Sequence, residues 1–142
     1  MSFLSGMDIS ASGLTAQRAR LDVISENIAN IDTTRTEDGK PYTRKYVVLE
    51  ERNPSFSSVL KNTQEATGGV RVAEIGEDSS DYKLEYDPTN PDANAEGYVE
   101  KPNVDLAQEM SDMLEAYRSF EANVTAFGAY KDMAVKTFEI GT

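Results

Sequence analysis

Apolar residues recur at helical spacing near both ends of this chain and at strand spacing between them. From Phe3 to Ile31, Leu4, Met7, Ala11 and Leu14 step by three, four and three, and Leu21, Ile24, Ile28 and Ile31 repeat those steps. Such spacing puts an apolar stripe on one side of a helix. Gly6, Gly13 and several serines weaken it, because glycine and serine favour other backbone states. Near the C-terminus, Leu106, Met110, Met113, Tyr117, Phe120, Val124, Phe127, Lys131, Ala134 and Phe138 alternate four and three without a slip. That heptad row predicts a long helix from Asn103 to Glu139 with coiled-coil-like packing along one seam. Pro102 precedes it, acids stand early and Lys131 and Lys136 late, as a helix dipole favours.

Between the helices the pattern shortens. "YTRKYVVLEE" is rich in β formers. "TGGVRVAEI" sets a Gly68-Gly69 turn before an alternating strand, and "DYKLEYD" alternates Tyr82, Leu84 and Tyr86 before the turn formers of "PTNPDANAEG". The predicted fold is mainly α with a small β insert. It comprises an N-terminal helix in residues 1–35, an antiparallel β and loop segment in 36–102, and a C-terminal helix in 103–142. The terminal helices are expected to pair as a coiled-coil-like hairpin. Two helices without a third layer seldom make a stable core, so other subunits are expected to complete the apolar surface.

Composition narrows the function. The chain has 142 residues, no Cys and no His, and a formal charge of −11. Disulfides and thiol chemistry are excluded, and the commonest general base and zinc ligand are missing together. The net negative charge argues against nucleic acid and against an anionic membrane surface. No apolar run is long enough to span a bilayer, so direct membrane insertion is not expected. The N-terminus lacks the basic start, apolar core and cleavage site of a signal peptide.

Candidate chemistry reads as structure. Asp92, Asn94, Glu96 and Gly97 mimic half of a calcium loop, but its twelfth position is Asn103 instead of Glu, which leaves a polar turn. Nine acids between Glu74 and Glu100 face one base, Lys83, and describe a solvated face with no cleft for paired carboxylates. Gly68-Gly69 lacks the lysine and following helix of a phosphate loop. Tyr117, Phe120 and Phe127 stand at packing positions. Lys131 either pairs with a partner acid or lays its stem along the seam. No catalytic, cofactor or metal residue is named, and an enzyme is not expected.

Three stretches carry a family resemblance. "ISENIANIDTTRT", "YDPTNPDANAEGYVEKPNVDLAQEM" and "EMSDMLEAYRSFEANVTAF" resemble the bacterial flagellar axial proteins of rod and hook, the second pointing to the proximal rod branch. The resemblance implies a structural subunit of the flagellar basal body. It implies export by the flagellar type III apparatus without a cleaved signal. It also implies helical polymerisation with related rod proteins and copies of itself, close to the peptidoglycan layer. On that frame Leu14, Leu21, Ile24 and Ile28 are expected to pack against Met113, Tyr117, Phe120 and Val124. Asn27, Asn30 and Thr33 would close the turn, and Asn103 and Asp105 would cap the second helix. Leu114 and Tyr130, with Arg18, Arg20 and Arg118, are candidates for contacts between subunits. A different class, a soluble coiled-coil adaptor or chaperone using the same seam reversibly, fits the same pattern.

Overall fold

Two helices from the ends of the chain run antiparallel along each other, with four short strands between them in sequence. The computed structural model describes residues 3–53 and 68–140, and the side chain of Leu4 lies outside what is described. The order is α1 (Phe3–Ala29), β1 (Lys45–Glu51), β2 (Val70–Glu77), β3 (Lys83–Tyr86), β4 (Tyr98–Lys101) and α2 (Leu106–Ile140). The architecture is mainly α with a β insert. At 1.5 Å per residue the 35 residues of α2 extend about 52 Å.

Four points, seven residues apart on α1, set how the helices meet. Gly6 lies under the Tyr130 ring and Gly13 against Asn123. Arg20 reaches Glu115 at 3.8 Å, and Asn27 bonds to Glu109 at 3.0 Å. A Cβ on Gly6 would stand 2.7 Å from ring carbons of Tyr130, and one on Gly13 2.8 Å from Asn123 Oδ1. The glycines that weaken α1 as an isolated helix therefore let α2 come close.

The insert forms two separate two-stranded antiparallel sheets, β1–β2 and β3–β4, where the sequence suggested one small element. In the first, Lys45 faces Glu77 and Glu51 faces Val70, with a bulge between Val48 and Leu49 where Ala73 is the extra residue. A lone hairpin is marginal in water. This one is laid along α1. Asn27 holds Lys45 at one end of β1, and Asp8 pairs with Arg52 at 2.6 Å just beyond the other. Ser12 Oγ accepts from the Val70 amide at 3.0 Å. In the second sheet Lys83 pairs with Lys101 and Tyr86 with Tyr98, whose rings meet edge to face. The hairpin is anchored by Lys83 Nζ donating to Val104 O at 2.7 Å and by Tyr82 and Thr43 sharing a 2.8 Å bond.

Candidate assembly surface

The small residues Ala16 and Ala116 are buried between the helices, but the largest enclosed side chains lie elsewhere. Glu109, Val99, Val104, Asn27 and Pro102 are the largest fully buried ones, and they cluster where the helices meet the insert. Asn27, 1% exposed, uses all its bonding capacity there. Its Oδ1 accepts from the Tyr42 hydroxyl and the Lys45 amide, both at 2.9 Å. Its Nδ2 donates to Lys45 O at 2.8 Å and to Glu109 Oε2 at 3.0 Å. Glu109, 0% exposed, accepts on its other oxygen from Arg44 Nε at 2.6 Å. Asp112 and Asp78 stand 3.5 and 3.8 Å from the same guanidinium. Buried charge is tolerable only when paired and bonded in this way. Burial, with Glu26, Glu109 and Glu77 nearby, pushes the Tyr42 phenol up to about 12, so it remains a donor to Asn27.

The turn residues divide their work. Asn27 joins this junction, whereas Asn30 and Thr33 stay local: Asn30 Nδ2 donates to Glu26 O at 2.9 Å, and the Thr33 hydroxyl donates to Asn30 Oδ1 at 3.2 Å. Asp105 caps α2, accepting from the Ala107 and Gln108 amides at 2.9 and 3.2 Å. Those two bonds, with Lys83 nearby, hold its carboxyl below the ordinary 3.8. Asn103 is not a cap. It lies three residues before α2, too early to reach its free amides. It accepts instead from the Arg44 amide at 2.8 Å and donates to the Asp78 and Ser80 carbonyls.

The face that α2 turns to α1 differs from the expected seam by one row. Met113, Phe120 and Phe127 do lie on its half-buried flank, with Ala134. The row completing it is Glu109, Ala116, Asn123 and Tyr130, two of them buried and two half-buried. Leu106, Met110, Tyr117 and Val124 are exposed, Tyr117 by 58% and Val124 by 48%. They are therefore not in the intramolecular seam. The reason lies on α1, where Gly6, Gly13 and Asn27 admit a close polar-and-small row. Ile24 is buried, and Leu14, Leu21 and Ile28 are half-buried beside the contact.

At 3.6 residues per turn in an antiparallel pair, Met7, Leu14, Leu21 and Ile28 fall on the same side as Met110, Tyr117 and Val124. That side is opposite the one on which Ile9 and Ser12 meet the β1–β2 sheet. Among the described residues the helix pair thus has one face covered by the sheet and one exposed, apolar face. Of the candidates for contact between subunits, Leu114 is exposed by 58%, and Arg18 and Arg118 are exposed without an ion pair among the described residues. Two others turn inward: Tyr130 fills the space left by Gly6, and Arg20 pairs with Glu115 of its own chain. Lys131 is exposed on the outer row. In the sequence Glu109 counts only among the early acids of the C-terminal helix and Arg44 has no role, so their buried pairing is new. A lone Glu amid an apolar row and an Arg before a strand were the only signals.

Among the described residues no three acids, His or Cys converge to hold a metal ion, and no helix is long and apolar enough to cross a membrane. The grooves on the insert are open and polar, such as that lined by Asp78, Asp81, Tyr82 and Glu100. The Asp92 loop is tied instead to Thr34 at 2.9 Å.

Comparison with known proteins covers both helices. Residues 7–35 match the family described as flagella basal body rod protein, and residues 95–139 match flagellar basal body rod FlgEFG protein C-terminal. The chain is 52% identical to flagellar basal-body rod protein FlgC of Bacillus subtilis (strain 168), over 99% of each chain. It is 45% identical to FlgC of Borreliella burgdorferi over 94% of this chain and 93% of that one. It is 43% identical to FlgC of Escherichia coli O157:H7 over 99% of each. With matched domains at both ends and identity along nearly its whole length, the chain belongs to the FlgC family of flagellar basal-body rod proteins.

Proposed function

We infer that this member of the family is a structural subunit of the basal-body rod that assembles through its helix pair. The observation that carries the reading is the row Met110, Tyr117 and Val124, whose large apolar side chains face outward beside a helix that already has its partner. Exposed apolar rows of this extent mark interaction surfaces. On this reading the open face is covered by helices of neighbouring rod subunits, so that the paired helices become part of a coiled-coil-like layer. The acidic insert stands outside that layer, towards the cell-wall region. The subunit reaches its place through the flagellar type III apparatus without a cleaved signal. Its neighbours are related rod proteins and copies of itself, in a helical array that serves as the drive shaft. The role is mechanical, in keeping with the family, and needs no cofactor.

The test is to express the tagged chain in its host with the native copy deleted and to purify basal bodies. Restored motility, with the chain in the rod fraction, is the expected result. Loss of both on introducing Tyr117→Asp and Val124→Asp, with helicity kept in the isolated protein, locates assembly on the open face. Motility of the deletion strain before the tagged chain is supplied, or a tagged chain that stays out of basal bodies, overturns the reading.

A further inference from the structure

The β3–β4 hairpin has two unlike faces. Val99, 1% exposed, lies on the inner one with the Lys101 and Glu85 pair. By the register of the strands, Leu84, Tyr86, Tyr98 and Glu100 share the outer face. There Leu84 is exposed by 66%, Tyr86 by 64% and Tyr98 by 42%. Single apolar side chains on a surface are ordinary, but neighbours on one sheet face mark an interaction surface.

The cluster is already shaped. The Tyr86 and Tyr98 rings meet edge to face with centroids 5.3 Å apart. Gly97, at φ +83°, makes room for the Tyr86 ring, since a Cβ there would stand 2.9 Å from its Cε2. Rings held in this way give up little further freedom when a partner lands on them.

Charge selects the partner. Glu100 stands opposite Leu84 on this face, and Glu77 and Asp81 line the groove that continues from both. All three acids are exposed and have no ion pair among the described residues. The two bases of the hairpin are taken up elsewhere, Lys83 by Val104 O and Asp105, Lys101 by Glu85 and Asp32. Such a rim repels phosphate-bearing surfaces, nucleic acid and anionic lipid alike, and attracts lysine and arginine. A second copy of this chain does not supply them. Its exposed bases without an ion pair among the described residues, Arg18, Lys40, Arg118 and Lys131, are scattered over both helices and a loop.

We propose that the outer face of β3–β4 docks a basic segment of a different protein, seating an apolar side chain on Leu84, Tyr86 and Tyr98 and its lysines or arginines against Glu77, Asp81 and Glu100. The surface lies on the insert and not on the helix pair, so it goes beyond the rod reading without depending on it.

The experiment uses the full chain in its host with Tyr86→benzoylphenylalanine, a photo-reactive aromatic, and identifies the cross-linked peptide by mass spectrometry. The expected product joins the chain to a segment of another protein that carries net positive charge around the attachment point. Asp81→Lys with Glu100→Lys is expected to lower its yield about tenfold, while Glu121→Lys on α2 leaves it unchanged. Reversing the bases of the identified segment is expected to restore the cross-link to the reversed face. No product, or one joined to a neutral or acidic segment, to a second copy of this chain or to glycan alone, overturns the proposal. So does a yield that the paired lysines leave unchanged, or one that reversal of the partner does not restore. Circular dichroism of each purified variant separates loss of folding from loss of docking. Asp81→Asn with Glu100→Gln, which removes the charges without adding bulk, replaces a lysine variant that unfolds.

Discussion

Glu109→Ala tests whether the polar junction, instead of the apolar seam, holds the helices to the insert. The substitution removes the acceptor of two bonds, from Arg44 Nε at 2.6 Å and Asn27 Nδ2 at 3.0 Å. Breaking a buried ion pair by removing one partner costs about 3–5 kcal/mol. The value here belongs near the lower end, about 3 kcal/mol, since Asp112 and Asp78 still face the guanidinium and Arg44 keeps some access to water. Against a typical domain stability of about 5–15 kcal/mol that is a large fraction. Glu115→Ala provides the control: it removes a 3.8 Å pair with Arg20 at the surface, worth less than about 0.5 kcal/mol. Urea unfolding followed by circular dichroism at 222 nm reads both, the midpoint moving at unchanged slope. A shift for Glu109→Ala no larger than that for Glu115→Ala would refute the reasoning, since it would mean that the buried carboxylate contributes no more than a surface one.

Gly13→Ala is expected to destabilise by about 1 kcal/mol net, because overpacking at Asn123 exceeds the gain in helix propensity. Gly128→Ala, with open space at its Cβ, should instead raise the melting temperature of the isolated chain. Tyr42 should ionise well above pH 10, which phenolate absorbance at 295 nm compared between wild type and Tyr42→Phe reads. Its folded value of about 12 lies above the ordinary 10.0, so its contribution is whole below pH 10 and declines as pH rises from 10 towards 12. Asp105 has the opposite sign. With its carboxyl held below 3.8, the cap stabilises fully above that pH and is lost as pH falls through the lowered value, so the melting difference between wild type and Asp105→Ala should close in acid.

How far the sequence foretold this is best seen on α2. The heptad row was legible because apolar residues advertise burial, and Met113, Phe120 and Phe127 do flank the contact with α1. The other half of the row, Met110, Tyr117 and Val124, reads as the same seam in sequence because hydrophobicity alone does not say which partner covers a side chain. The row facing α1 contains Glu109, Ala116 and Asn123, which no apolar count selects. It is chosen by Gly6, Gly13 and Asn27 on the opposite helix, a match between distant positions that periodicity in one helix does not contain. The local features, the Asp105 cap and the polar Asp92 turn, were visible because neighbours in sequence make them. The role of Asn103 was missed because its partners, Arg44 and Asp78, lie 59 and 25 residues away.

The junction around Asn27 has a mechanical consequence. Apolar burial is non-directional and by itself fixes no one orientation of the groups it brings together. Hydrogen bonds pointing in several directions from one buried amide and one buried carboxylate do not slip: shear along any axis stretches some of them. A twist applied to the helix pair would therefore be passed to Tyr42, Arg44 and the start of β1 through a stiff joint.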